Sequence, residues 1–253
     1  MATQTPSHAK PQSVLRGVVR AGWKKYVSQW QKLLLASLPP ILLIAALRWL
    51  SDDQTGAQYD IIIAGLSLFT TMLIVRLAVA GWDRKKVTLI AYYNGVMLRF
   101  ISAIGLSAVY TVLSVPALGG LVVSGLALTK DLPVWVLIIS LPLALIGVLL
   151  MAGGSLALFA MLDDMSLTVM QAYRVSFKLT RQFWRPVVKL LALAGFVLVM
   201  LGAVIVILSQ RTPLSLQDPQ LQIWIDAAIS WLITPIVLCL VAAVYQRLVE
   251  AYE

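Results

Sequence analysis

Charge is scarce in this sequence, and so are the side chains most enzymes rely on. Only 12% of its 253 residues are Asp, Glu, Lys or Arg, about half the share of an ordinary soluble domain. There is one cysteine, Cys239, and one histidine, His8. A lone cysteine forbids an intramolecular disulfide, and one Cys with one His cannot supply a zinc set within the chain. His8 lies in residues 1–12, a Pro/Ser/Lys tail that reads as disordered and cytoplasmic. It is therefore no base for a Ser or Cys nucleophile inside a fold, and the short run Gly153-Gly154-Ser155 has nothing to activate it. No GxxxxGK[ST], GxGxxG or HExxH occurs, and the 11 acidic residues form no pair at i, i+3 or i+4 within an apolar run. The sequence therefore predicts no enzyme, no metal centre and no cofactor.

What is present is apolar: 60% of the chain is hydrophobic. A bilayer core of about 30 Å needs roughly 20 apolar residues in a helix. Six runs approach or exceed that length, at residues 33–50, 61–82, 101–128, 134–162, 187–208 and 223–245. The first is the weakest, because Pro39-Pro40 interrupts it. Runs three and four are separated by residues 129–133 alone, which predicts an antiparallel hairpin. The expected fold is an all-α integral membrane protein with six transmembrane helices, forming a single membrane domain over residues 13–253.

The net charge of +9 is explained by topology rather than by nucleic acid. Fifteen of the 20 Lys and Arg residues fall before run one, between runs two and three, between four and five, and after six. Only Lys130 and Arg211 fall in the alternate loops; Arg48, Arg76 and Lys189 sit within or at the ends of runs. Cytoplasmic loops collect Lys and Arg, so both termini are expected in the cytoplasm. Asp52, Asp53 and Asp60 in the first outer loop agree. Residues 1–32 lack the continuous apolar stretch of a cleaved signal peptide; being basic and free of acids, they also resemble a mitochondrial presequence.

The segments before runs one and five read as amphipathic helices. Over residues 13–32, Leu15, Val18, Val19, Trp23, Tyr26 and Trp30 gather on one arc, with Arg16, Arg20, Lys24 and Gln31 opposite. Over residues 166–185, Arg174, Lys178, Arg181 and Arg185 form one stripe, and Met170, Tyr173, Phe177 and Trp184 another. Helices of this kind lie in the membrane interface, and Ser13 and Ser166 stand where N-caps belong. Arg20, Trp23, Lys24 and Trp30 match Arg174, Phe177, Lys178 and Trp184 at a constant offset. Residues 84–100 hold the equivalent place before run three, with Tyr92, Tyr93 and Arg99 but no basic stripe. The spacing thus predicts three units of surface helix plus two spans, over 13–82, 84–162 and 166–245, the middle unit being the divergent one.

The run from Ala172 to Arg185, Ala-Tyr-Arg-x-Ser-x-Lys-x-Thr-x-x-Phe-Trp-Arg in outline and leading into a Leu-rich span, resembles the YciC-like bacterial inner-membrane proteins. It is also similar to the membrane domain attached to some glycerophosphodiester phosphodiesterases. The resemblance covers the six-span plan and is most specific over residues 166–193. It carries no catalytic signature, since the His and acidic metal ligands of the phosphodiesterase domain have no counterpart in this sequence. It implies a multi-pass protein of the bacterial cytoplasmic (inner) membrane, concerned with lipid or envelope integrity.

Ionisable residues within spans are functional candidates by default. Arg76, about two turns from the cytoplasmic end of run two, can snorkel to the headgroups. Lys189, beside Pro186, reads as an interface anchor, and Asp226 suits the positive end of the helix dipole in run six. Pro116, Gly119 and Gly120 face Pro142, Gly147, Gly153 and Gly154 across the hairpin, either to pack helices closely or to open the backbone at a cavity. The function expected is a non-enzymatic, lipid-interacting, envelope-maintenance or assembly role, with anionic lipids and other membrane proteins as partners. The headgroup residues would be Arg16, Arg20, Lys24, Arg174, Lys178, Arg181 and Arg185. The competing reading is a transporter or permease-like subunit built on the span three/four hairpin.

Overall fold

A computed structural model describes residues 17–50, 57–80, 89–130, 133–182, 184 and 219–252. Run five (187–208) lies outside the described residues, as do Arg16, Arg185 and Lys189. Every described element is a helix: α1 (Val18–Leu50), α2 (Ala57–Ala80), α3 (Leu89–Thr129), α4 (Val134–Gly154), α5 (Ala157–Asp163), α6 (Val169–Gln182) and α7 (Pro219–Tyr252). Five stretches among them are long and apolar enough to cross a membrane: Val18–Leu50, Tyr59–Val79, Ile90–Ala127, Val134–Asp163 and Ile223–Tyr252. The described residues are thus all-helical, and their five long apolar helices mark a multi-pass membrane protein. Its outward-facing apolar side chains fit a lipid surround, Leu98 and Ile101 being 82% and 83% exposed.

The chain divides into two compact units, Met1–Met97 with Arg185–Glu253, and Leu98–Trp184. In the first, α1 runs antiparallel to α7: Gly22 meets the backbone of Cys239 and Leu240 near one end, and Arg48 and Asp226 line one cavity near the other. A Cβ on Gly22 would stand 2.9 Å from Leu240 Cα, so only glycine allows the two backbones this approach. The second half of α2 fills the centre, with Met72, Leu73, Ile74, Val75, Leu77, Ala78 and Val79 all buried. Lys25 and Cys239 are buried beside this core.

The expected break at Pro39-Pro40 is not there, because α1 is one helix of 33 residues. Proline in a helix interior leaves the carbonyl four residues earlier without its usual donor. For Pro40 that carbonyl is Ala36, and the Tyr93 hydroxyl of α3 donates to it at 2.8 Å. Trp231 Nε1 of α7 donates to the neighbouring Leu34 carbonyl at 2.9 Å, and Ser37 Oγ to Leu33 at 2.8 Å. At Pro40 a neighbouring helix thus supplies the donor that the proline removes, which is how membrane helices tolerate it.

Two further boundaries differ from expectation. Residues 18–32 are not a separate surface helix but the first half of α1, since no Gly or Pro occurs between Trp23 and Leu38 to end it. Likewise the segment before run three belongs to α3, a continuous helix of 41 residues from Leu89. The two segments sharing the Arg-x-x-aromatic-Lys spacing therefore stand in different local structures. Arg20 and Lys24 ride on a membrane-length helix, Arg174 and Lys178 on a separate helix of 14 residues.

In the second unit, the antiparallel hairpin between α3 and α4 is closed by small residues. Gly147 faces Ala117, and Gly120 faces Ser140 and Ala144. Between them Ser124 and Ser140 share a buried hydroxyl–hydroxyl hydrogen bond of 2.7 Å, and Ser124 Oγ also donates to Gly120 O. Gly119 meets nothing within 4 Å. Pro116 and Pro142 lie inside their helices.

Candidate functional site

Run four does not continue as one helix to residue 162: α4 stops at Gly154, and a turn at Ser155-Leu156 leads into α5. A helix end buried in an apolar setting leaves carbonyls that need donors. Helix α6 provides them. Ser176 Oγ donates to Gly153 O at 2.6 Å and accepts from Leu156 N at 3.1 Å. Tyr173 hydroxyl donates to Leu150 O at 3.1 Å, and Thr180 Oγ1 to Ala152 O at 3.4 Å. The two glycines make room for this docking, with the Phe177 ring over Gly153 and the Tyr173 ring over Gly154. The two rings stack at 6.3 Å. Partial burial raises the Tyr173 phenol above its ordinary pKa and keeps it a donor.

The start of α6 is fixed as firmly. Thr168, not Ser166, is its cap. Thr168 N donates to Gln171 Oε1 at 2.9 Å and Gln171 N to Thr168 Oγ1 at 3.4 Å, a reciprocal capping box. Ser166 belongs to the preceding turn, where its hydroxyl and its N–H both donate to Asp164 Oδ1. Arg99 Nη1 of α3 ties the same loop down through Leu167 O at 3.2 Å. The hydrogen bonds from the Ser166 hydroxyl and N–H hold the Asp164 carboxyl below its ordinary pKa. The turn's extra stability is thus present above the ordinary carboxylate value and disappears as pH falls through the depressed one. A carbon-13 titration of Asp164 should find a midpoint below that of an unstructured Asp; coincidence of the two would remove the turn from the argument.

With one face so committed, the rest of α6 is settled. Ala172, Ser176, Leu179 and Thr180 are buried, while Arg174, Lys178 and Arg181 are exposed. The buried stripe thus carries two hydroxyls, Ser176 and Thr180, between Ala172 and Leu179. Met170 and Trp184 are exposed, and Phe177 is only partly covered. On α1, Arg20 and Lys24 are exposed together with Trp23 and Trp30, and Trp23 packs on Tyr26 at 5.7 Å.

A second polar feature lies in the first unit. A partly open cavity of about 170 Å³ is lined from α1 by Ile41, Ile44, Ala45 and Arg48, and from α2 by Ser67, Thr70 and Thr71. Helix α7 contributes Ile223, Asp226, Ala227, Ser230 and Thr234. Asp226 is not in the first turn as expected, because the helix already starts at Pro219; it lies on a cavity wall with a cation and five hydroxyls. The sequence signal was available: Ser67, Thr70 and Thr71 fall at i, i+3, i+4, and Asp226, Ser230 and Thr234 at steps of four. Each set is one polar stripe on an otherwise apolar helix. Arg76 is half-buried on α2 within electrostatic reach of Tyr92. Among the described residues, no group of His, Cys, Asp and Glu could hold a metal ion.

Comparison with family models, with curated proteins and with solved structures finds no match.

Proposed function

We propose that this chain is a non-enzymatic, multi-pass protein of a bacterial cytoplasmic membrane that holds anionic lipid at the cytoplasmic surface, in an envelope-maintenance or assembly role with other membrane proteins. The observation that carries this reading is the docking of α6. Its buried stripe is committed to the end of α4, so Arg174, Lys178 and Arg181 stay exposed beside Phe177, a basic and aromatic surface suited to headgroups. The positive-inside bias assigns residues 163–185 and the segment before run one to the cytoplasm. Both termini and six spans belong to the same proposal, the sixth being run five. Arg20, Lys24, Trp23 and Trp30 at the start of α1 extend the basic and aromatic character. The transporter reading needed a polar opening at the hairpin. Gly120 and Gly147 instead lie against the facing backbone, and Tyr173 and Phe177 cover Gly153 and Gly154, which favours packing.

Each cytoplasmic basic residue near an anionic surface contributes roughly 1 kcal/mol at most, screened within a Debye length. The test is the full chain with Arg174, Lys178, Arg181 and Arg185 all changed to Gln, which preserves helix propensity. Eleven cytoplasmic basic residues remain, so insertion should be unaffected. Anionic lipid retained through purification should fall roughly tenfold, and high salt should reproduce the loss in the parent. Equal retention in both proteins would reduce the stripe to a topology signal.

A further inference from the structure

The cavity of the first unit sits at the opposite end of α1 from Arg20 and Lys24, and it is independent of the basic face. Its walls are ordered. Arg48 and Ile223 lie near the ends of their helices, and Asp226 is one turn further along α7 than Ile223. Ser230, Thr70, Thr71 and finally Thr234 lie deeper. From Ile223 to Thr234 the cavity wall runs about 16 Å along the helix, about half the hydrocarbon thickness. A guanidinium carries five N–H donors and a permanent positive charge, so Arg48 on the lining can present donors to an anionic group near the helix ends. The deeper groups call for the reverse. Thr70 Oγ1 already donates to Leu66 O at 2.7 Å and Thr71 Oγ1 to Ser67 O at 2.9 Å. What these hydroxyls have left for the cavity is oxygen lone pairs, and the Asp226 carboxylate adds more. An ammonium group fits that set.

The volume sets the size of the guest. About 170 Å³ is well below the roughly 300–1,000 Å³ of pockets that enclose a whole drug-sized ligand. The cavity takes a small zwitterion, or the zwitterionic end of a larger molecule. Flanking side chains favour the second. Leu42, Leu43 and Trp49 on α1 and Trp224 on α7, each close in sequence to lining residues, are 40–49% exposed apolar groups. Acyl chains can lie against them while a headgroup enters.

We propose that this cavity binds the headgroup of an aminophospholipid, its terminal ammonium directed toward Asp226, Thr70 and Thr71 and its phosphate held by Arg48. The order of groups in such a headgroup, ammonium at the tip and phosphate next, matches the order of the walls read outward from the deep end. Methylating the ammonium removes the N–H donors that the deep acceptors require, so phosphatidylethanolamine is preferred over phosphatidylcholine. Phosphatidylglycerol, with no cation, satisfies Arg48 alone.

The experiment is retention by the full chain reconstituted in nanodiscs of equal phosphatidylethanolamine, phosphatidylcholine and phosphatidylglycerol, re-extracted in mild detergent, with headgroups quantified by mass spectrometry. The parent should retain phosphatidylethanolamine in preference to the other two. Asp226→Asn should lower that retention about tenfold or more, the effect of losing a charge-assisted hydrogen bond, without changing phosphatidylglycerol. Arg48→Gln should lower both. Ala227→Leu fills the cavity with both charges intact and should lose phosphatidylethanolamine at an unchanged unfolding temperature. Equal phosphatidylethanolamine retention by the parent, Asp226→Asn and Ala227→Leu would overturn the proposal. So would saturable binding of glycerophosphoethanolamine or a free amino acid to the delipidated protein with no phosphatidylethanolamine preference, since the guest would then be a soluble zwitterion. The basic-face variant described above should leave phosphatidylethanolamine retention untouched, so the two proposals fail separately.

Discussion

Leucine at Gly147 is expected to unfold the α3–α4 hairpin, whereas leucine at Gly119 or Gly125 is expected to leave stability unchanged. All three positions are helical glycines in apolar surroundings, so propensity and hydropathy treat them alike. Their neighbours do not. A Cβ on Gly147 would overlap the backbone and side chain of Ala117, and one on Gly120 would come within 2.7 Å of Ser140 O and 2.5 Å of Ala144 N. Gly119 and Gly125 have nothing within 4 Å. A side chain can rotate away from an added atom, but a helix backbone cannot, so α3 and α4 must separate along the seam. Overpacking a well-packed core costs about 1–3 kcal/mol, and backbone against backbone belongs at the upper end. Separation would also pull apart the buried Ser124–Ser140 pair, whose polar groups have no water to turn to in a bilayer. Gly147→Leu should therefore cost about 3 kcal/mol or more. Thermal unfolding in detergent decides it, with Gly119→Leu as control. If the two variants melt together, the hairpin is not held by this seam.

That contrast shows what sequence patterning resolves and what it does not. Run length and composition suffice to find helices of membrane length, because hydropathy is a sum over many residues and tolerates local irregularity. They could not tell Gly119 from Gly120, since the distinction lies in which side of α3 meets α4. The same limit explains Pro39-Pro40. A proline pair is a local signal for a break, and it was overridden by a donor from Tyr93, far away in sequence. In the segment before run one, the amphipathic arc around Arg20 was visible. Its continuation into α1 followed from something less conspicuous, the want of any breaker before Pro39. At α6 the exposed basic stripe was legible from spacing alone. Its buried face was not, because the burial of Ala172, Ser176, Leu179 and Thr180 is dictated by the end of α4 that α6 docks on. The cavity is the intermediate case. Its stripes were present at helical spacing, but only the fold shows that three helices turn them toward one another.

Among single side chains, Ser176 is expected to matter most to α6, and Ser176→Ala should loosen it at a cost of about 3 kcal/mol. Its hydroxyl is buried and used in both directions, accepting from Leu156 N and donating to Gly153 O at the point where α4 ends and α5 has not begun. Alanine keeps the helix and nearly the volume but removes both bonds at once. Leu156 N–H and Gly153 C=O are then left buried, and each unsatisfied group costs about 1–3 kcal/mol. Thr180 Oγ1, already 3.4 Å from Ala152 O, is a turn away from the gap and cannot fill it without dragging α6 along α4. Ser166→Ala, on an exposed turn, should stay within about 0.5 kcal/mol of the parent. The consequence for lipid is specific. Loosening α6 leaves Arg174, Lys178 and Arg181 in place chemically but no longer holds them as one surface, so anionic lipid retention should fall in Ser176→Ala even though no charge has changed. Limited proteolysis within residues 169–182 should accelerate in parallel. A Ser176→Ala protein with the protease resistance and lipid content of Ser166→Ala would mean that α6 is held by its rings over Gly153 and Gly154 alone, and that the hydroxyl is incidental.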